Sequence, residues 1–216
     1  LHTAYRRQRQ MCIRDSAYLG QVHAAHAALA DAGVTTDVVR PGADLDGYRL
    51  LVVPALHLIS DADAAAIARA VENGATALIT FFSGIVDEED RVRTGGYPGA
   101  FRELLGIRSE EFAPLRPDES VTLSDGTTGT IWSERLKTTG AEVVASFVDG
   151  PAAGGPAITR RAAGEGEAWF LGTQPARDDY RRLIARLAAS AGIAPTPGAG
   201  PDVEIVRRTG DAGSFL

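Results

Sequence analysis

The chain has 216 residues, 44% of them apolar and 23% charged, which is the composition of an ordinary globular protein of one medium domain or one domain with part of another. A net charge of −6 offers phosphates no basic field, and no apolar run nears the roughly 18 residues of a membrane helix, so nucleic-acid and membrane roles are set aside. One cysteine, Cys12, excludes an internal disulfide framework and a cysteine-based zinc site.

Leu1 to Ser16 (LHTAYRRQRQMCIRDS) has neither helical nor strand periodicity and resembles translated adaptor sequence. It is treated as a non-native leader, residues 1–16, and kept out of the fold reasoning. Without it the chain carries 18 basic and 27 acidic residues, a net charge of −9. Ala17 to Ala32 reads as an amphipathic helix with Leu19, Val22, His26 and Leu29 on one stripe and Gly33 as its left-handed cap. Val34 to Val39 is expected to be a short strand. Arg49 to Ala55 is a continuous apolar run, the pattern of a strand covered on both faces, with Pro54 at its end.

Ser60 and Asp63 stand in capping-box positions ahead of a helix whose inner stripe is Ala64, Ile67, Ala68 and Val71. Asn73-Gly74 stops that helix, and Thr76 to Phe82 is the next buried strand. A short helix is expected from Pro98 to Leu105, ending at Gly106. Beyond Glu111 the pattern turns to short strands: Ser120 to Leu123, Gly129 to Ser133, Glu142 to Val148, Ala157 to Arg161 and Glu167 to Gly172. The last two form a hairpin around Ala163 to Gly166. A final helix, Arg177 to Ala191, places Tyr180, Leu183, Ile184 and Leu187 on one face. This rhythm is an α/β doubly wound sheet with a β-rich second half, filling residues 17–192. Residues 193–201 (IAPTPGAGP) read as a linker, and 202–216 as the start of a further small β domain opened by a strand at Val203 to Val206.

The stretch from Phe81 to Gly99 is the most distinctive. It leaves the carboxyl end of a buried strand, where ligands and partners meet open α/β sheets, and it is dense in charge and glycine. Asp87, Glu88, Glu89 and Asp90, followed by Arg91 and Arg93, fit an intersubunit ion-pair region better than a metal or acid–base site, since no histidine is near in sequence. Ser83-Gly84 suggests a nucleophile elbow, but Phe81 occupies the first glycine position of G-x-S-x-G. A hydrolase using Ser83 with His57 therefore stays a rival reading. No phosphate-binding glycine motif is present, and nothing points to a cofactor or metal. Trp132 and Trp169 are expected to pack on strands.

Several segments together carry a family resemblance: Tyr48–Leu56 (YRLLVVPAL), Val71–Ala75 (VENGA), Phe82–Pro98, Leu104–Ile107 (LLGI), Glu110–Phe112 (EEF), Ala168–Thr173 (AWFLGT) and Val203–Arg208 (VEIVRR). They resemble the middle domain of glycoside hydrolase family 42 β-galactosidases. The resemblance implies a glutamine-amidotransferase-like (flavodoxin-like) domain that assembles a cytoplasmic homotrimer, a retaining hydrolase of terminal β-D-galactosides. The galactoside and both catalytic glutamates would belong to a barrel that this chain lacks. Phe82, Ser83, Gly84, Asp87, Asp90, Arg91 and Tyr97 are then expected at the subunit interface or the rim of the active site. The resemblance also implies a strand ahead of the first helix; without it the sheet should expose an edge or slot. A stand-alone sugar-binding or small-molecule-binding α/β module is the alternative.

Overall fold

The computed structural model describes residues 15–198, 203, 205, 208–210 and 213–215. Helix α1 (Asp15–Asp31) is followed by strand β1 (Leu50–Val53), helix α2 (Asp61–Glu72), strand β2 (Thr76–Thr80) and a single helical turn, α3 (Arg102–Leu105). Strands β3 (Ile107–Pro114), β4 (Val121–Thr122), β5 (Thr128–Thr130), β6 (Trp132–Thr138), β7 (Glu142–Ser146), β8 (Pro156–Ala163), β9 (Gly166–Leu171) and β10 (Gln174–Pro175) then lead into helix α4 (Arg177–Ser190). A small hairpin, β11 (Arg208–Gly210) and β12 (Gly213–Phe215), closes the described chain.

The central sheet is mixed, in the order β1-β2-β9-β8-β7. Strands β1, β2 and β9 run parallel, β8 runs antiparallel to β9, and β7 runs antiparallel to β8. Every residue of β2 is buried, and the reason is visible in where its side chains go. Leu78 joins the core under α1 and α4 with Ala25, Leu29, Tyr180, Ile184 and Leu187. Its neighbours Ala77 and Ile79 join the opposite core with Ile67 and Val71 of α2 and Leu105 of α3. Period-two alternation with helices on both sides makes the middle of the strand apolar throughout. The buried polar residues Thr76 and Thr80 stand at its two ends, Thr80 Oγ1 accepting from Ala55 N at 2.8 Å. Each fully buried Leu, Ile or Val contributes about 1.5–3 kcal/mol over its exposed state.

The mixed α/β class agrees with the sequence reading, and so do the α2 cap, the glycine cap of α1 and the β8–β9 hairpin. Ser60 Oγ accepts from Asp63 N at 3.1 Å, and Gly33 takes φ +71° after α1. At the hairpin, Gly164 has φ +61°, and a Cβ there would stand 2.4 Å from the Glu72 carbonyl at the end of α2.

Four expectations need correction. Val34 to Val39 enters no β-ladder. The segment shares its cavity with β1 rather than pairing with it, so apolar character alone did not make it a strand. In α1 the buried residues are Gln21, Ala25, Ala28 and Leu29, while Leu19 is exposed; Val22 and His26 line the cavity. The helix before Gly106 is one turn, because Pro98 to Phe101 is held by loop contacts of its own, with Ala100 N donating to Gly84 O at 3.1 Å. Strand β3 was not anticipated. It pairs with β6 over Ile107–Pro114, and a left-handed residue, Ile131 (φ +71°), separates β6 from β5. Of the expected Val203 to Val206 strand, Val203 forms a bridge, and Glu204 and Val206 lie outside the described residues. The 1–16 leader lies almost wholly outside them too. No helix among the described residues is long and apolar enough to cross a membrane.

Among the described residues strand β1 pairs with β2 alone, and a cavity of about 470 Å³ lies along its other edge.

Candidate functional site

Strand β2 ends in a sharp turn that sets the whole loop. Phe81 N donates to Leu171 O at 2.8 Å, continuing the sheet for one residue. Phe82 then adopts φ +62°, an uncommon conformation for a bulky residue and one that turns its ring out of the sheet. Ser83 is fully buried: its Oγ accepts from Leu56 N at 3.0 Å and donates to Val53 O at 3.4 Å, tying the turn to the end of β1. Gly84, at φ +68°, lies so close to Phe101 that a Cβ would stand 2.9 Å from its ring. Ser83 and Gly84 thus support the loop from within. Ser83 has no hydrogen bond to His57 and no solvent access, which removes the hydrolase reading that paired them.

Four rings and one imidazole form a continuous surface around Phe82. The His57 ring stacks on Phe82 at 4.8 Å, and Phe82 meets Trp132 edge-on at 5.2 Å. Trp132 contacts Phe112 at 5.1 Å, and Phe112 stacks on Tyr97 at 4.6 Å. Trp132 is buried beneath, whereas His57, Phe82, Tyr97 and Phe112 are half-exposed. Exposed Leu58 follows His57, and bridges through Val86 join it to exposed Val92. Burial lowers the His57 pKa, opposed by the charge of Asp90, and its Nδ1 has no partner.

The charged part of the loop is shaped by one carboxylate. Asp87 Oδ1 accepts from Arg91 N at 2.9 Å and Glu89 N at 3.0 Å, while Asp87 N donates to Arg91 O. These backbone donors, Arg91 first, hold the Asp87 pKa below its ordinary value against a smaller opposing effect of burial. Asp90 takes φ +61° at the tip. Arg91 is exposed and pairs with Glu89 at 2.8 Å. Arg93 anchors the loop to α2, donating to Ile59 O at 2.7 Å and pairing with Asp61. Tyr97 O accepts from Ser109 N at 2.7 Å, which fixes its ring against β3.

The seven residues singled out from sequence therefore divide into three groups. Phe82 and Tyr97 meet on the aromatic surface through Phe112; Asp87, Asp90 and Arg91 share one turn; Ser83 and Gly84 lie underneath. Sequence reasoning missed Phe112 and Trp132 as parts of this surface, because the β3–β6 ribbon that brings them there was unread. The sequence carried little signal for it, because the strand's buried positions Ile107 and Ser109 alternate with exposed Arg108 and Glu110 but only the first is apolar.

Behind the rings lies Glu134, buried to 1% exposure on the same face of β6 as Trp132. Burial raises its pKa from 4.5 to about 7, while neighbouring Ser109 and Trp132 favour the charged form. None of Ser109 Oγ, Trp132 Nε1 and Glu134 Oε1 completes a hydrogen bond of normal geometry. Among the described residues no group of three acidic, histidine or cysteine side chains could hold a metal ion.

The family profile described as "Beta-galactosidase trimerisation domain" matches residues 2–194. A β-galactosidase of Arthrobacter sp. is 50% identical over 203 residues, 94% of this chain but 29% of that protein. β-Galactosidase BgaB of Geobacillus sp. (strain Y412MC61) is 36% identical over 92% of this chain and 30% of its own length. Among solved structures, a β-galactosidase from Bacillus circulans sp. alkalophilus superposes with a TM-score of 0.87 at 30% identity, over 91% of this chain and 30% of that one. The chain thus spans about 30% of the length of these relatives. It belongs to the β-galactosidase trimerisation-domain family.

Proposed function

We propose that this chain is the assembly domain of a β-galactosidase, a retaining hydrolase of terminal β-D-galactosides that works as a cytoplasmic homotrimer. Family membership supports the assembly role. The observation that carries it to particular residues is the half-exposed ring surface of His57, Phe82, Tyr97 and Phe112 beside a braced loop. Aromatic side chains on rigid supports are the usual anchors of protein interfaces. Arg91 and Asp90, at the exposed tip, would form the polar rim next to a neighbouring subunit. Three parallel strands covered by helices on both faces favour the glutamine-amidotransferase-like, doubly wound arrangement. Residues 17–192 would form this domain and 202–216 the start of a small β domain. The linker's first half stays tied down, with Thr196 N donating to Gly33 O at 2.8 Å.

Catalysis would belong to another part of the longer enzyme. Retaining glycoside hydrolysis needs two carboxyl groups about 5–5.5 Å apart in one pocket. The main cavity here is walled by a single carboxylate, Asp37, already engaged by the Tyr48 hydroxyl at 2.9 Å. Its apolar lining also disfavours the sugar-binding alternative, because sugars are held by convergent polar groups.

The test uses the full-length enzyme that contains this chain. Arg91→Glu combined with Phe112→Ala should raise the trimer dissociation constant by at least tenfold in sedimentation velocity. An unchanged trimer would remove these residues from the interface. Galactosidase turnover by the purified 216-residue chain would overturn the assembly-domain reading itself.

A further inference from the structure

Glu134 Oε1, Ser109 Oγ and Trp132 Nε1 lie together beneath the ring surface, all three buried and none with a completed hydrogen bond. The strands explain why they meet. Trp132 and Glu134 share the inward face of β6. Pairing in the ribbon slips by one residue between Ser109 and Glu111, which returns Phe112 to the face that Ser109 occupies, opposite Glu134. Trp132 touches both Phe82 and Phe112, and Ser109 N donates to Tyr97 O at 2.7 Å. One buried carboxyl group thus stands among the supports of three rings of the surface.

The charged groups on the elements around it are directed elsewhere. Glu110 and Glu111 pair with Lys137 and Arg135 on the outside of the ribbon, and Arg161 of β8 donates to Glu103 O. At the end of β9, a Cβ on Gly172 would stand 3.8 Å from Glu134 Cγ, and Thr173 Oγ1 donates to Thr130 O at 3.3 Å. On the loop, His57 stacks on Phe82 and is influenced by Asp90. Burial governs the ionisation of Glu134 first, then Ser109 and Trp132 as donors to the charged form.

A buried carboxylate without partners costs far more than the neutral acid. On losing its proton Glu134 draws in the two donors beside it, the Ser109 hydroxyl and the Trp132 indole N–H. Both movements reach the surface, since Trp132 underlies Phe82 and Phe112 and Ser109 holds Tyr97. Covering the rings with another subunit removes water from above them and favours the neutral acid further.

We propose that the proton on Glu134 keeps the ring surface in the arrangement that a second copy of the chain binds, so that subunits associate around the neutral acid and separate as the proton leaves. Glu134 is a positioning residue, acting through Trp132 and Ser109. The proposal rests on the assembly reading above. Because the assembled state holds the proton more tightly, association weakens as pH rises through about 7.

Sedimentation velocity of the full-length enzyme at about pH 6.5 and 8.5 brackets this range, while His57, lowered from 6.5 by burial, stays mostly neutral. The trimer dissociation constant should rise at least tenfold between the two, and Glu134→Gln should keep the low-pH value throughout. In the 216-residue chain, 15N labelling of the two tryptophans reads the rings directly. The indole signal that Trp132→Phe removes should move over the same range and stand still in Glu134→Gln. A trimer equally sensitive to pH in Glu134→Gln overturns the proposal, and so does an indole signal that never moves, which leaves the assembly reading intact. A moving indole signal with a trimer indifferent to pH also overturns it, and places the fault in the assignment of the rings to the interface.

Discussion

Glu134 is the residue where burial and charge are most at odds. Its folded pKa of about 7 lies above the ordinary 4.5, so between those values the folded chain binds a proton that the unfolded chain has released. Stability from this group is complete below pH 4.5, declines as pH rises towards 7 and is flat beyond. The shift is worth about 3 kcal/mol at pH 8, as an order of magnitude. Glu134→Gln should therefore stabilise the chain in urea at pH 8 by up to about 3 kcal/mol and change little at pH 4.5. Equal effects at both pH values would show that Glu134 does not titrate in this window. At the same scale, Asp87 works in the opposite sense: backbone N–H groups stabilise its charge and, through it, the turn that carries Asp90 and Arg91.

At the scale of elements, local caps and long-range clamps share the work. Helix α2 begins where Ser60 Oγ satisfies the amide of Asp63, with Asp61 and Asp63 placed to complement the helix dipole. Ser60→Ala should cost about 1 kcal/mol in chemical denaturation, with the slope against denaturant unchanged. Loss of less than a few tenths would mean that Arg93, which pairs with Asp61, holds this helix start without the cap. Helices α1 and α4 are joined differently, by a two-point ion pair from Arg177 to Asp31 at 2.8 and 3.0 Å. The ribbon of β3 and β6 is the element that builds the aromatic surface, since their register sets Phe112 opposite Glu134 and Pro114 opposite Trp132.

For the whole molecule, the edge of β1 that no other described residue pairs with and the exposed Val38 and Val39 offer a surface on which copies of the chain can associate. Val38→Lys should reduce self-association at high concentration, measured by light scattering. Its unfolding free energy should stay within about 0.5 kcal/mol of the parent, as for most surface changes. Unaltered scattering would place the sticky surface elsewhere.

Much of this architecture was legible before any coordinates, and the reason is local. The caps of α1 and α2, the stripes of α2 and α4 and the buried runs at Leu50–Val53 and Thr76–Thr80 are written in patterns only a few residues long, and the tertiary fold had no cause to override them. Family membership was legible in the blocks from Tyr48 to Ile107. The fate of Val34 to Val39 was not, because a strand is defined by its partner, and β propensity says nothing about whether a partner is present. The same holds for the site. Phe82 and Tyr97 could be singled out by their loop, but Phe112 and Trp132 join them only through β3–β6 pairing between distant stretches of chain. Residue order by itself determined where α2 starts and that the runs at Leu50 and Thr76 are buried strands; tertiary structure alone decided which rings touch, where the turn before Gly106 becomes helical and which carboxyl loses its water, because each depends on contacts between segments far apart in sequence.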